Sequence, residues 1–193
     1  MALLQMSELR KANLARGKLF HGPEGVNAWP FRRWVMAAMG ELGEAMNAMK
    51  KVWREDGTGS TEQLVTELCD VVMYLDLAVA HRGWSWPRMT TLDSIVTYND
   101  VAEVASDPER ALVKSMGLLH RAWYNTGHAS ASDELMDDLR EVLFLVVALI
   151  RVHSPTAEGP LISTFNEVSY RRGYAVRLGA VLGHDYGKAI VPA

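Results

Sequence analysis

Two of the most apolar stretches of this chain are each interrupted by a pair of carboxylates at one spacing, Glu41 with Glu44 and Glu67 with Asp70. If both stretches are helices, each i, i+3 pair lies on one face with an axial offset of about 4.5 Å. The apolar residues Met39, Leu42, Met46 and Met49 form a buried stripe on the first helix, and Leu64, Leu68, Val71, Leu75, Ala78 and Val79 form one on the second. Two such helices must bury their stripes against each other, and an antiparallel pairing brings the four acids together at the edge of the seam. Four negative charges in a partly buried place repel one another unless protons or a cation intervene, and hard oxygen donors in that arrangement suit Mg²⁺, with Mn²⁺ as the alternative. The plainer reading is a pair of solvated acidic helix faces.

The spacing extends both faces. Trp34 lies seven residues before Glu41 and Lys51 seven after Glu44, so the first helix can present a ring, two acids and a cation in succession, while Tyr74 continues the line of Glu67 and Asp70. Asp76 stands among apolar neighbours, where an unpaired carboxylate is costly, and therefore requires a partner. The single cysteine, Cys69, cannot form an internal disulfide and reads as a small buried apolar residue. His21 and Trp29, in the Gly- and Pro-rich segment 21–30, can edge a pocket, with ordinary packing as the plainer reading.

With 193 residues and 49% hydrophobic content, the chain can bury a substantial core. A net charge of −3 gives no basic footprint for a polynucleotide. No run approaches the ~18 uninterrupted apolar residues of a membrane span, and the start resembles no signal peptide, so a soluble, cytoplasmic protein without membrane partners is expected.

The remaining punctuation predicts further helices. Residues 3–18 form a short amphipathic helix stopping at Gly17, and Ser60 with Gln63 makes a capping box for the acid-bearing helix that runs to about Gly83. Pro87 opens a third segment ending near Asp107, Pro108 begins a helix to about Thr126, Asp133 to His153 forms a very apolar one, and Leu161 to about Leu178 a last one. The tail 184–193 shows no period.

An internal repeat runs through this series. AAMGELGEA (37–45) matches KSMGLLHRA (114–122) at an offset of 77, QLVTELCDVV (63–72) matches ELMDDLREVL (134–143) at 71, and IVTYNDV (95–101) matches ISTFNEV (162–168) at 67. The offset changes only at loops, as expected if loops shortened while helices kept register. An all-α bundle built from a tandem, degenerate duplication follows: an N-terminal helix and loop (1–27), a first repeat (28–106), a second (107–178) and a tail (179–193). At the places of Glu41, Glu44, Glu67 and Asp70 the second repeat has Leu118, Arg121, Asp138 and Glu141, so half of its acids are gone. Conversely, only the second repeat continues from its Asn166 into Ser169, Tyr170, Arg171 and Arg172. Packed face to face, the two would build one composite site per chain.

The segments GELGEAMNAMKK, ELCDVVMYLDL and FNEVSYRRGY resemble the MazG-like branch of the all-α nucleoside triphosphate pyrophosphohydrolases. The family's E-E-x-x-E motif reads Gly40, Glu41, Leu42, Gly43, Glu44 here, so its leading Glu is a glycine; E-x-x-D is intact as Glu67 and Asp70; and the lysine before F-N-x-V-S-x-R is Thr164, a loss that Lys50 or Lys51 can cover. The match covers 28–86 and 162–174. The resemblance implies hydrolysis of a nucleoside triphosphate to monophosphate and pyrophosphate, with Glu41, Glu44, Glu67 and Asp70 as catalytic Mg²⁺ ligands, Lys51, Asn166, Arg171 and Arg172 on the phosphates, and Tyr74 and Trp34 beside the sugar or base. Two other readings stay open at this point: a non-catalytic Mg-nucleotide-binding protein of the same fold, and a structural bundle presenting a Met-rich face to a partner. Duplication is compatible both with a pseudo-dimer that works alone and with a homodimer.

Overall fold

In the computed structural model, residues 4–54, 57–86, 91–127 and 132–179 are described; Leu3, Pro87 and the tail 180–193 lie outside them. These residues form seven α-helices: α1 (Met6–His21), α2 (Phe31–Trp53), α3 (Thr61–His81), α4 (Tyr98–Ser106), α5 (Pro108–Tyr124), α6 (Ser132–His153) and α7 (Glu158–Arg171). Among the described residues there is no strand beyond one isolated antiparallel bridge, Gln5 with Thr91. None of the helices is long and apolar enough to cross a membrane.

The expected caps set several boundaries. Ser60 Oγ accepts from the Gln63 N–H at the start of α3, and Asp107 accepts from the Arg110 N–H, with Pro108 as the first residue of α5. Several boundaries differ from expectation: residues 91–97 are not helical and α4 begins only at Tyr98, after its Thr97 cap, and α7 begins at Glu158, three residues before Leu161. α1 runs through Gly17, which is buried with Leu77 beside it, and ends at Gly22, whose φ of 75° any side chain would resist. The last helix stops at Arg171 instead of Leu178, because Gly173 turns left-handed (φ 70°) and its neighbour's N–H, that of Tyr174, bonds back to Ser169 O at 2.8 Å.

α2 packs along α3, and α5 packs along α6. The two hairpins meet through α2 on α5 and α3 on α6, while α7 lies against α3 and α4 against α6. Each third helix therefore packs on the other hairpin's second helix, a reciprocal arrangement. The reciprocity is imperfect in detail. Phe165 on α7 is fully buried, whereas Tyr98, its counterpart in the sequence alignment, is 82% exposed, since the Thr97/Asp100 capping box begins α4 only there. The buried stripe of α2 is Phe31, Trp34, Val35, Ala38, Leu42, Ala45, Ala48 and Met49; Met39 and Met46 are only half-buried at its edge.

α1 lies on α3 and is fixed there by Asp76, which is fully buried. Its carboxylate accepts from Arg10 Nε (2.8 Å), Trp86 Nε1 (2.9 Å) and Asn13 Nδ2 (3.3 Å), so the partner its position demanded exists in triplicate. Burial pushes its pKa up, while these donors oppose the shift and hold the charge. Asp76→Ala would strand Arg10 and two further donors, and is expected to cost about 3 kcal/mol in urea unfolding. Trp86→Phe, which removes one bond and little volume, should cost about 1 kcal/mol; equal costs for the two would refute the network's role.

Candidate functional site

The α2–α3 seam brings three of the four expected acids together. Carboxylate oxygens of Glu41, Glu67 and Asp70 all lie within 4.8 Å of one another, and each residue is half-buried. Glu44, one turn along α2, is exposed, and its charge reaches all three. The consequence is electrostatic strain. Glu41 is pushed up from 4.5 to about 7, first by burial and then by the charges of Asp70, Glu44 and Glu67. Asp70 is pushed up to about 6, again chiefly by burial, with Glu67 and Glu44 adding and Arg16 and Arg171 opposing. Glu67 is pushed up as well, first by burial and then by the charge of Glu44, while its hydrogen bonds with Gln63 and Glu41 oppose the shift.

Glu41 and Asp70 open onto a cleft of about 400 Å³ between α1, α2, α3 and α7. Its walls combine rings, from Phe20, His21, Trp29, Trp34 and Tyr74, with the polar groups of Asn13, Arg16, Arg172 and the two acids; Arg172 lies 5.5 Å over the Phe20 ring. The rings form a continuous cluster: Trp29 lies 4.7 Å from both His21 and Trp34, and Trp34 lies 6.3 Å from Tyr74, centroid to centroid. His21 and Trp29, for which the sequence makes packing the plainer reading, thus line the cleft.

The other expected site residues fare differently. Tyr74 and Arg172 reach the cleft, and Arg171 acts on Asp70 through its charge while pairing with Glu167 at 3.5 Å. Trp34 is fully covered and its indole N–H is taken by Val26 O (2.9 Å), so it backs the wall while half-exposed Trp29 presents the accessible ring. Asn166 is not a free phosphate donor, because both ends of its amide clamp the chain that follows α7: Nδ2 donates to Leu178 O (3.0 Å) and Oδ1 accepts from Leu178 N (2.8 Å). Lys51 lies about 15 Å along α2 from Glu41 and lines a separate depression with Gly57, Gly59 and Ser60. Thr164 is buried and its hydroxyl hydrogen-bonds the Cys69 sulfur, while Cys69, itself fully buried, has its thiol pushed up to about 12 by desolvation. Position 164 therefore faces the core. At Gly40, by contrast, an added Cβ would meet nothing within 4 Å, so packing does not require the glycine.

The largest omission of the sequence reading is α1. Its buried positions Leu9, Ala12, Asn13, Arg16 and Gly17 follow helical spacing. A charged residue on that stripe was the available signal for Arg16.

The positions equivalent to the acids in the second hairpin are neutralised. Arg121, in place of Glu44, grips Asp138 through both Nε and Nη2, and Lys114 sits 2.6 Å from Glu141. No family model, curated protein or solved structure matches the chain.

The raised carboxyls carry a pH signature. Glu41 and Asp70 hold protons more tightly folded than unfolded, so the native chain binds more protons from about pH 4 to 7 and its stability falls as pH rises through that window. Urea midpoints in metal-free buffer should show this fall, and Glu41→Gln should flatten it; an identical slope in the variant would refute the assignment. Separately, Asn166→Ala should cost about 1 kcal/mol by freeing the segment to Leu178, again measured by urea unfolding.

Proposed function

We propose that the cleft is the active site of a Mg²⁺-dependent nucleoside triphosphate pyrophosphohydrolase, cleaving substrate to monophosphate and pyrophosphate. The observation that carries the reading is the placement of Glu41, Glu67 and Asp70 within 4.8 Å of one another, two of them in a cleft also lined by aromatic rings and by Arg16 and Arg172. Two of the acids hold protons toward neutral pH, chiefly because burial removes their water and then because neighbouring carboxylates repel them, a state a divalent cation would relieve. The donor set is all carboxylate oxygen, which fits Mg²⁺ or Mn²⁺ and not a soft metal.

Glu41, Glu67 and Asp70 would hold the ion, which when bound polarises phosphoryl oxygens and neutralises charge on the leaving group. Glu44, exposed beside the three, orients the attacking water. Arg172 receives phosphate oxygens at the cleft wall, and Arg171, through its charge, favours the ionised form of Asp70. Tyr74 and Trp29 flank the base or sugar, with Trp34 as the fixed backing that keeps Trp29 in place.

The same reading includes the duplication. The reciprocal packing of α7 on α3 and α4 on α6 is the arrangement two copies of a three-helix MazG-like unit would adopt. The second copy gave up its own site when Arg121 and Lys114 neutralised its acids.

A panel of ribo- and deoxyribonucleoside triphosphates with Mg²⁺ tests the proposal by following monophosphate and pyrophosphate. Asp70→Asn and Glu44→Ala should each lower release by at least about 100-fold, with helical circular dichroism unchanged. Undiminished release in these variants would remove the site assignment. A chain that melts higher with Mg-nucleotide but releases no product would instead be a nucleotide-binding module.

A further inference from the structure

Arg16 occupies a place where a cation is costly. It lies on the buried stripe of α1 and is only 7% exposed, yet among the described residues it forms no ion pair. Arg10, on the same helix, is by contrast matched directly: its Nε lies 2.8 Å from the buried Asp76. The guanidinium of Arg16 has lesser company. It stacks 3.8 Å over the Phe165 ring, donates from Nη1 to Phe165 O at 3.2 Å, and donates from Nη2 to Met73 Sδ at 2.9 Å. Desolvation lowers its pKa to about 10, which leaves it charged at neutral pH, and Asp70 attracts it through space without contact.

A guanidinium carries five N–H donors. The described residues supply acceptors for two of them, one of which is a thioether, among the weakest acceptors available. The ring stack and the Phe165 carbonyl fix the plane of the fork, so little rotamer freedom remains to be lost when an anion arrives. Arg16 also lines the same cleft as Glu41 and Asp70. A lone carboxylate ligand would answer Arg16 but bring nothing for the acids. A phosphoric anhydride carrying a divalent cation answers both, offering oxygens to the fork and the cation to the carboxylates.

We propose that Arg16 is a substrate-binding residue that grips the polyphosphate, by exchanging its Met73 contact for phosphate oxygens. This inference rests on the reading of the cleft as a triphosphate site. It adds an anchor from α1, outside the three segments that carry the family resemblance, and takes the part that the engaged amide of Asn166 and the distant Lys51 do not fill.

Isothermal titration of the full chain with pyrophosphate in Mg²⁺ tests it independently of turnover. Arg16→Lys keeps the charge but loses the fork, and should weaken pyrophosphate binding by about tenfold or more; Arg33→Lys, an exposed residue outside the cleft, should leave it unchanged. Undiminished affinity in Arg16→Lys, at an unchanged melting temperature, would make Arg16 a structural cation and overturn the proposal. Orthophosphate titrated in parallel separates an anhydride subsite from a site for free phosphate: binding of orthophosphate as tight as pyrophosphate would overturn the substrate assignment. Arg16-dependent pyrophosphate binding without turnover of any nucleotide would uphold the anchor and defeat the hydrolase reading. Should Arg16→Lys fail to fold, hydrogen exchange of the wild-type chain decides: pyrophosphate-dependent protection across residues 13–20 supports the anchor, and its absence refutes it.

Discussion

Three carboxylates from α2 and α3 are held within 4.8 Å of one another, and the apolar core beneath them is what keeps the two helices, and so the acids, together. The α2–α3 seam is sealed by Leu42, Ala45, Leu64, Leu68 and Val71, all completely buried, so the acids have no room to separate by moving their helices. What yields is their protonation: Glu41 and Asp70 retain protons well above the usual carboxylate range. The apolar seam thus stores a demand for positive charge at one edge of the bundle. The rest of the architecture is arranged around that edge, with α1 and α7 bringing Arg16 and Arg171 into the field of Asp70.

Much of this was legible in the sequence because it is local. Helix period, the Ser60 and Asp107 caps and the Pro108 start depend on residues a few positions apart, and so does the alignment of Glu67, Asp70 and Tyr74 on one face. Asp76 was legible in a weaker way: its burial followed from its neighbours and the need for a partner from electrostatics, but Arg10, 66 residues away, and Trp86, ten residues on and beyond the end of α3, could not be named, since neither contact leaves a periodic trace.

The misreadings share one cause, which is that a side chain's own motif does not say which way its contacts point. Asn166 has the same neighbours whether it faces a ligand or its own chain twelve residues on, and here it faces Leu178. Trp34 sits in line with Glu41 on the helical wheel, but α2 is buried on that side at its N-terminal end, where the turn Gly25–Ala28 folds over it through Val26. Gly17 was a stop signal by composition and proved to be a contact point for α3, while the true stop required the positive φ of Gly22. Arg16 could have been found, since its spacing from Leu9 and Ala12 placed a charge in the core.

The neutralised acids of the second hairpin bear on how the chain responds to ligand. Arg121 takes the place of one acid and grips Asp138, while Lys114 pairs with Glu141, so both remaining acids of that hairpin are already matched by the chain's own cations. A twofold architecture usually offers two equivalent places that can influence each other. Here one acid cluster remains among the described residues, so on the proposed reading saturation within a single chain would have no partner site to report to and would follow a simple hyperbola, and a sigmoidal response would have to arise between chains.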